Sequence, residues 1–211
     1  MRLLILGATG GTGRALLSQA VGRGHEVTAY VRSPRKLDPP VNRVTVHHGD
    51  PRSASELATV LPGHDAVLSA LGPPGPGPTT ILRLAARSVV EAMQAANVRR
   101  LLVVSAAVLF ADLGMLGRLL RRTLLKNVAQ DSAEMERIVM ASGLEWTIAR
   151  PPRLTNGGLS GRYRIEEERL PGGSAAATIS RADVAHFLLD EVERPRHTHH
   201  IVGIAGGRGR T

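Results

Sequence analysis

The chain begins with Leu3-Leu4-Ile5-Leu6, followed at once by Gly7-Ala8-Thr9-Gly10-Gly11-Thr12-Gly13. Four apolar residues closed off by glycine are too few for a helix and read as a strand buried on both faces. The glycines then turn the chain into a helix beginning near Thr12. Gly7 permits the tight turn, Gly10 lets backbone N–H groups approach a pyrophosphate, and Gly13 lets the helix pack closely on the strand, with the helix N-terminus facing the anion. This strand, turn and helix commit the chain to an α/β fold with a phosphate site at the end of its first strand.

At 211 residues the chain has room for one well-cored α/β domain and is short for two. With 43% hydrophobic residues and no apolar run near the ~18 residues of a membrane span, it reads as a soluble globular protein. No signal peptide is apparent before Leu3. The absence of cysteine excludes disulfides, thiolate chemistry and sulfur-ligated metals, and agrees with a cytoplasmic setting. The net charge of +9 raises the question of nucleic acid, but the arginines are spread along the chain and only 2% of residues are aromatic, so stacking platforms are scarce. An anionic small molecule accounts for the charge as well, and no nucleic-acid partner is expected.

Ala15, Leu16, Leu17, Ala20 and Val21 share one helical face, and Gly22 and Gly24 bracket the stop before a second strand, Glu26 to Val31. In a dinucleotide-binding βαβ unit the end of that strand meets the adenosine ribose, where an acid selects a free 2′-hydroxyl and an arginine accepts a 2′-phosphate. Here the residue is Arg32, with Ser33, Arg35 and Lys36 after it and no carboxylate before Asp38. That field favours NADP(H) over NAD(H).

A third strand, Val44 to His48, ends in Gly49-Asp50. Asp50 is placed either to accept from an adenine amino group or to cap its own loop. A short helix follows from Ala54 to Leu61, then a fourth strand from Ala66 to Gly72 and a Pro-Gly loop from Pro73 to Pro78. Thr79 or Thr80 caps a helix to Ala96 that Asn97 ends. Arg100 to Ser105 forms a fifth strand, placing the Ser105 hydroxyl at the mouth of the crevice. Leu113, Leu116, Leu119, Leu120 and Leu124 set against Arg118, Arg121, Arg122 and Lys126 suggest a basic amphipathic helix, which fits a lid, a partner surface or a membrane-surface segment, a cover for the substrate pocket being the reading favoured. Asp131 or Ser132 would cap a helix that stops at Gly143, and a sixth strand, Leu144 to Ala149, runs into Arg150-Pro151-Pro152. Beyond Arg153 the chain reads as loop-rich until Ser180 caps a last helix to Val192, and a final strand runs from about His200 to Ala205. Adjacent His47 and His48 point to opposite faces, and His197, His199 and His200 lie near a chain end, so no metal site is expected. The fold expected is a doubly wound, mostly parallel sheet of six to seven strands with helices on both faces.

With Gly7 to Gly13, Tyr30-Val31-Arg32, Val103-Val104-Ser105, Ser142-Gly143-Leu144, Arg150-Pro151-Pro152 and the late Ile179 to Val184 in order, the chain resembles the atypical short-chain dehydrogenase/reductases. It is most similar to the biliverdin reductase B/flavin reductase type, among the NmrA-like NAD(P)H-binding proteins. The resemblance implies one NAD(P)-binding Rossmann domain over residues 1–211, with substrate-side elements from about 106–130 and 151–180. It implies an NADPH site lined by Thr9, Gly10, Gly11, Thr12, Arg32, Lys36, Asp50, Leu71, Gly72 and Pro151, with Ser105 beside the nicotinamide. Arg153 stands where the flavin reductase pattern has a histidine, and Ser132 replaces another. The Tyr-x-x-x-Lys pair of typical short-chain dehydrogenases is missing, since neither Tyr30 nor Tyr163 is followed by lysine four residues on. Two functions follow. One is hydride transfer from NADPH to a planar small-molecule acceptor such as a flavin, a bilin or a quinone, with Ser105 and Arg153 in the catalytic site. The other is a non-catalytic NADP(H) sensor that binds a partner protein.

Overall fold

A computed structural model describes residues 1–37, 43–73, 75, 77–111, 119, 122–123, 125–174 and 176–207. At its centre is β1 (Arg2–Leu6), buried along its whole length after Arg2. Successive side chains of a strand point to opposite faces, and β1 divides that way: Leu3 and Ile5 enter one hydrophobic cluster, Leu4 and Leu6 the other. The unbroken apolar run is needed because both faces are covered.

The main sheet runs β3 (Val44–His48), β2 (Glu26–Val31), β1, β4 (Ala66–Ser69), β5 (Arg100–Val104), β6 (Glu145–Arg150), β10 (His200–Gly206) and β8 (Tyr163–Glu167). Neighbours from β3 through to β10 are parallel, and β8 closes the edge antiparallel to β10. On one face α1 (Gly11–Gly22) and α5 (Arg181–Glu193) bury Leu16, Leu17, Phe187 and Leu188. On the other, α2 (Ala54–Val60), α3 (Ile81–Ala95) and α4 (Lys126–Met140) bury Leu57, Val89, Met93, Met135 and Val139. Each such leucine contributes about 1.5–3 kcal/mol by leaving water. Strand order reverses between β1 and β4, so the carboxyl ends of these two strands flank the crevice where ligands bind in such sheets.

The expected doubly wound sheet is present, with eight strands among the described residues rather than six or seven. The additional one is β8, in the stretch read as loop-rich. As a five-residue edge strand it offers only Tyr163 and Ile165 at alternate positions, and Ile165 is exposed, so the apolar alternation of a half-buried strand is too short to read. The same stretch also supplies β7 (Arg153–Thr155) and β9 (Thr178–Ser180), three residues each, paired parallel as a separate ribbon. The fourth strand stops at Ser69 instead of reaching Gly72.

Helix ends are partly as expected. Asn97 takes a left-handed φ of 56° after α3, Gly143 one of 70° after α4, and the Ser180 hydroxyl accepts the Asp183 N–H at 2.9 Å to cap α5. At the start of α3 the Thr80 side chain makes no cap hydrogen bond, and the Thr79 hydroxyl accepts only the Ile81 N–H, at 3.4 Å. Asp131 reaches across from α4 instead, its carboxylate accepting from the N–H groups of Leu82 at 3.0 Å and Arg83 at 3.2 Å and from the Thr79 hydroxyl at 3.3 Å. Nor does Asp131 or Ser132 cap its own helix, because α4 already begins at Lys126 and carries both residues buried in its interior. A carboxylate finds two unsatisfied N–H groups and the positive helix end at the start of α3, and its own helix offers neither at that depth. The basic amphipathic helix expected over residues 113–126 falls largely outside the described residues.

Candidate functional site

The turn after β1 is built by steric exclusion. Gly7 has φ 76°, and a Cβ on it would lie 2.6 Å from the Ala70 carbonyl oxygen, so the turn sits directly against the end of β4. A Cβ on Gly13 would overlap the Gly7 carbonyl, which is how the first turn of α1 comes to lie on the strand end. The Gly10 N–H donates to the Gly7 carbonyl at 2.9 Å, and Gly10 then serves as an N-cap with no side chain to offer. No acidic residue stands in the first turn of α1. The leading N–H groups of this helix therefore have neither an intrahelical acceptor nor a capping side chain, which is the arrangement that receives a phosphate. Thr12 is buried within it.

Arg32 is exposed immediately beyond β2, and Lys36 lies on the single turn Pro34–Lys36. That turn is tied to the glycine loop by Arg14, whose Nε donates to the Thr9 carbonyl at 3.2 Å and whose Nη2 donates to the Lys36 carbonyl at 2.6 Å. An open recess of about 510 Å³ lies at the ends of β2 and β3, lined by Arg32, His47, His48, Gly49, Asp50 and Glu56. The Asp50 carboxylate is engaged at both oxygens by Arg52, with Nε at 3.0 and 3.1 Å and Nη2 at 2.6 Å, and it also accepts the Arg52 backbone N–H at 2.9 Å. These bonds, with Arg32 nearby, hold its carboxyl below the usual range against the opposing effect of burial. Of the two roles open to Asp50, the loop cap is the one with contacts in the structure. Glu56 accepts from the Asp50 N–H at 3.0 Å and the Tyr30 hydroxyl at 3.2 Å, and burial together with this carboxylate pushes the Tyr30 hydroxyl up to about 12.

On the far side of the crevice, Ser105 follows the last residue of β5, and its N–H donates to the Ala149 carbonyl at 2.7 Å. Two residues on, the Ala107 N–H donates to the carbonyl of buried Pro151 at 2.9 Å, so the chain leaving β5 is laced to the chain leaving β6. The Ser105 Oγ is buried and has no hydrogen-bond partner among the described residues. A buried hydroxyl left unpaired costs on the order of 1–3 kcal/mol, and the great majority are paired. Arg150 below it is neutralised: its guanidinium forms a two-pronged pair with buried Glu136, at 2.9 and 2.5 Å, and lies 4.7 Å from the Phe110 ring centre. Arg153, by contrast, is exposed on β7, with no acidic partner among the described residues and no hydrogen bond joining it to Ser105. Leu71 is half-buried on the cluster that holds Leu4 and Leu6, and Gly72 is exposed.

The structure thus brings Gly7, Thr9, Gly10, Gly11, Thr12 and Gly13 together at one strand end and links them to Lys36, while Ser105 and Pro151 form a second group. One neighbour of the loop escaped the sequence reading of the site. The side chain of Arg181 lies over Gly11, though the motif that contains it, Ile179 to Val184, was visible. His197 pairs with Glu191, His199 with the Leu144 carbonyl and His200 with the Thr198 carbonyl, while Glu167 lies 4.0 Å from His197 Nε2 and 3.7 Å from His200 Nε2.

A parallel sheet that reverses at β1, with a glycine cradle and a bare helix N-terminus at the reversal, defines a dinucleotide-binding protein of the Rossmann type. Residues 7–195 match the family described as NAD(P)H-binding, and the chain belongs to that family. It is 30% identical to the uncharacterised protein YwnB of Bacillus subtilis, over 93% of this chain and 94% of that one. A Rossmann-fold NAD(P)-binding family protein from Shigella flexneri is 26% identical with TM-score 0.77, covering 100% of this chain and 96% of the other. A Streptococcus pneumoniae structure, described as that of a candidate NADH-flavin reductase, is 27% identical with TM-score 0.74, covering 98% and 99%. No helix among the described residues is long and apolar enough to cross a membrane.

Proposed function

We propose that the protein is a reductase that uses NADPH to reduce a planar acceptor of the flavin, bilin or quinone kind. The observation that carries this reading is the buried Ser105 Oγ at the end of β5, without a partner among the described residues and on the opposite side of the crevice from the glycine cradle. An orphaned donor there is explained by a ligand that accepts from it, such as a nicotinamide carboxamide or an acceptor carbonyl. The similarity to the S. pneumoniae protein described as a candidate NADH-flavin reductase supports the acceptor class. That description speaks of NADH, whereas Arg32 and Lys36 of this chain favour the 2′-phosphate of NADPH.

In this reading the N–H groups at the start of α1 hold the pyrophosphate, and Arg32 and Lys36 hold the 2′-phosphate. Bound NADPH supplies the hydride. Ser105 orients the reacting rings, and Arg153, permanently charged, stabilises electron density arriving on the acceptor but gives up no proton at neutral pH. A flavin takes its proton from water, so positioning carries much of the rate. The test is NADPH oxidation followed by its absorbance with FMN, FAD, riboflavin and quinones. Turnover on any of them supports the reductase, and tight NADPH binding with no turnover on all of them favours a sensor that acts through a partner protein.

A further inference from the structure

The first residue of α5 lies across the start of α1. A Cβ on Gly11 would come within 2.5 Å of Arg181 Cδ and 2.8 Å of its Nε, and these side-chain atoms are the nearest obstacles around that glycine. Gly11 has no positive φ, so its backbone is one that any residue adopts. A side chain at this position would have to displace Arg181 from its place over the turn. Beyond Gly11 the guanidinium reaches Asn156, donating from Nη1 to Oδ1 at 2.6 Å. The start of α5 is also tied to the body of α1, since Gln19 donates to the Ala182 carbonyl at 2.9 Å, and Ser180 caps α5 through Asp183.

The electrostatics of this contact are unfavourable as they stand. A guanidinium rests against the positive end of α1, where the first turn has no acid. Arg181 forms no ion pair among the described residues, and its one side-chain partner is a neutral amide. The nearest acid in sequence, Asp183, is already committed to Ser160, Gly161 and Ser180. Two positive fields brought together over a glycine are favourable when an anion lies against both.

We propose that Arg181 is a further pyrophosphate-binding residue, which approaches the dinucleotide from the α5 side while the loop of Gly10 to Gly13 supplies backbone N–H groups. Asn156 presets the guanidinium for that contact. The inference rests on the NADPH reading above and extends it to a residue distant in sequence from the glycine motif. It also gives Gly11 a reason that backbone conformation does not: its hydrogen leaves the seat for the arginine.

The test measures dissociation constants by calorimetry for NADPH and, by competition, for 2′-AMP, which carries the 2′-phosphate and lacks the pyrophosphate. Arg181→Met should weaken NADPH about ten- to a hundredfold, the range for losing one hydrogen bond to a charged group, and leave 2′-AMP unchanged. Arg32→Ala should weaken both ligands. Gly11→Ala, which displaces the arginine, should weaken NADPH in the natural background and add little to Arg181→Met. If the unaltered protein takes up neither NADPH nor NADH, the cofactor reading itself fails. If it binds NADPH and folded Arg181→Met binds it equally well, or loses 2′-AMP in equal measure, the assignment of Arg181 is overturned and the cofactor reading stands. Should Arg181→Met not fold, Gly11→Ala carries the same test, and undiminished NADPH affinity in that variant overturns the assignment.

Discussion

Arg14 donates from Nη2 to the backbone carbonyl of Lys36 at 2.6 Å while its Nε holds the Thr9 carbonyl at 3.2 Å. One side chain thereby fixes the distance between the phosphate turn and the segment that follows Arg32. Selection between the two nicotinamide dinucleotides depends on that distance, because the pyrophosphate and the 2′-phosphate belong to one ligand and must be met together. NADPH should bind at least about tenfold more tightly than NADH, since charge-assisted contacts from Arg32 and Lys36 are each worth about 1.5–3 kcal/mol. Arg32→Ala should remove most of the gap. Arg14→Ala, an exposed change, should lower NADPH affinity about three- to tenfold with stability altered by no more than about 0.5 kcal/mol. Titration calorimetry reads all three, and equal affinity of the unaltered protein for both cofactors would sink the assignment.

Asp131 joins α4 to α3 through the two N–H groups it accepts at the α3 start. Asp131→Ala should cost about 1–3 kcal/mol, because it removes a charged cap and leaves buried donors unpaired. Asp131→Asn, which retains one acceptor, should cost less. Urea unfolding midpoints give the comparison, and a loss below about 0.5 kcal/mol in the alanine variant would mean that water replaces the cap.

Legibility in the sequence follows the range of the interaction. The β1 run, the glycine turn, the stops at Asn97 and Gly143 and the Ser180 cap are set by residues within a few positions of one another, and each is readable as pattern. The Asp131 cap of α3 and the seat of Arg181 on Gly11 join residues from distant stretches, so no local pattern announces either. The edge strand β8 is hidden for a different reason: it buries too little for hydrophobic alternation to be required of it. Asp50 is an intermediate case: its place at a strand's carboxyl end allowed either a loop cap or an adenine contact, and the choice depends on Arg52, which engages both its oxygens.

Asp183 gathers the loop before β8 onto the start of α5, accepting from the N–H groups of Ser160 and Gly161 at 2.9 Å and from the hydroxyls of Ser160 and Ser180 at 2.9 and 2.8 Å. Burial opposes its ionisation, but these donors outweigh that effect and hold its carboxyl below the ordinary range. A carboxyl with a depressed folded-state pKa contributes stability that is fully present above the unfolded value of about 4 and is lost as pH falls through the folded value. Stability should therefore decline as pH drops below about 4, and Asp183→Asn should be less stable at pH 7 with a shallower acid limb. Chemical denaturation at a series of pH values measures this, and an unchanged acid limb in the asparagine variant would remove Asp183 from the account.

Ser105 and Arg153 divide the chemistry of the proposed site between a buried hydroxyl and an exposed cation. The hydroxyl has no partner among the described residues, which leaves its hydrogen-bonding capacity to a ligand in this reading. Arg153 differs in that it has no acidic partner among the described residues and sits on β7 in solvent, unlike Arg150, whose charge is taken by Glu136. If Arg153 meets the acceptor, Arg153→Ala should reduce turnover by about ten- to a thousandfold with NADPH affinity nearly unchanged, the signature of a group that acts on developing charge. The proton then comes from solvent, and the rate should show no break in the histidine range between about pH 6 and 7. Ser105→Ala should reduce turnover and also weaken NADPH several-fold, because its hydroxyl orients the nicotinamide side. An Arg153→Ala variant with full turnover on every accepted substrate would leave Ser105 and the glycine cradle as the whole catalytic apparatus, with positioning as the only source of rate.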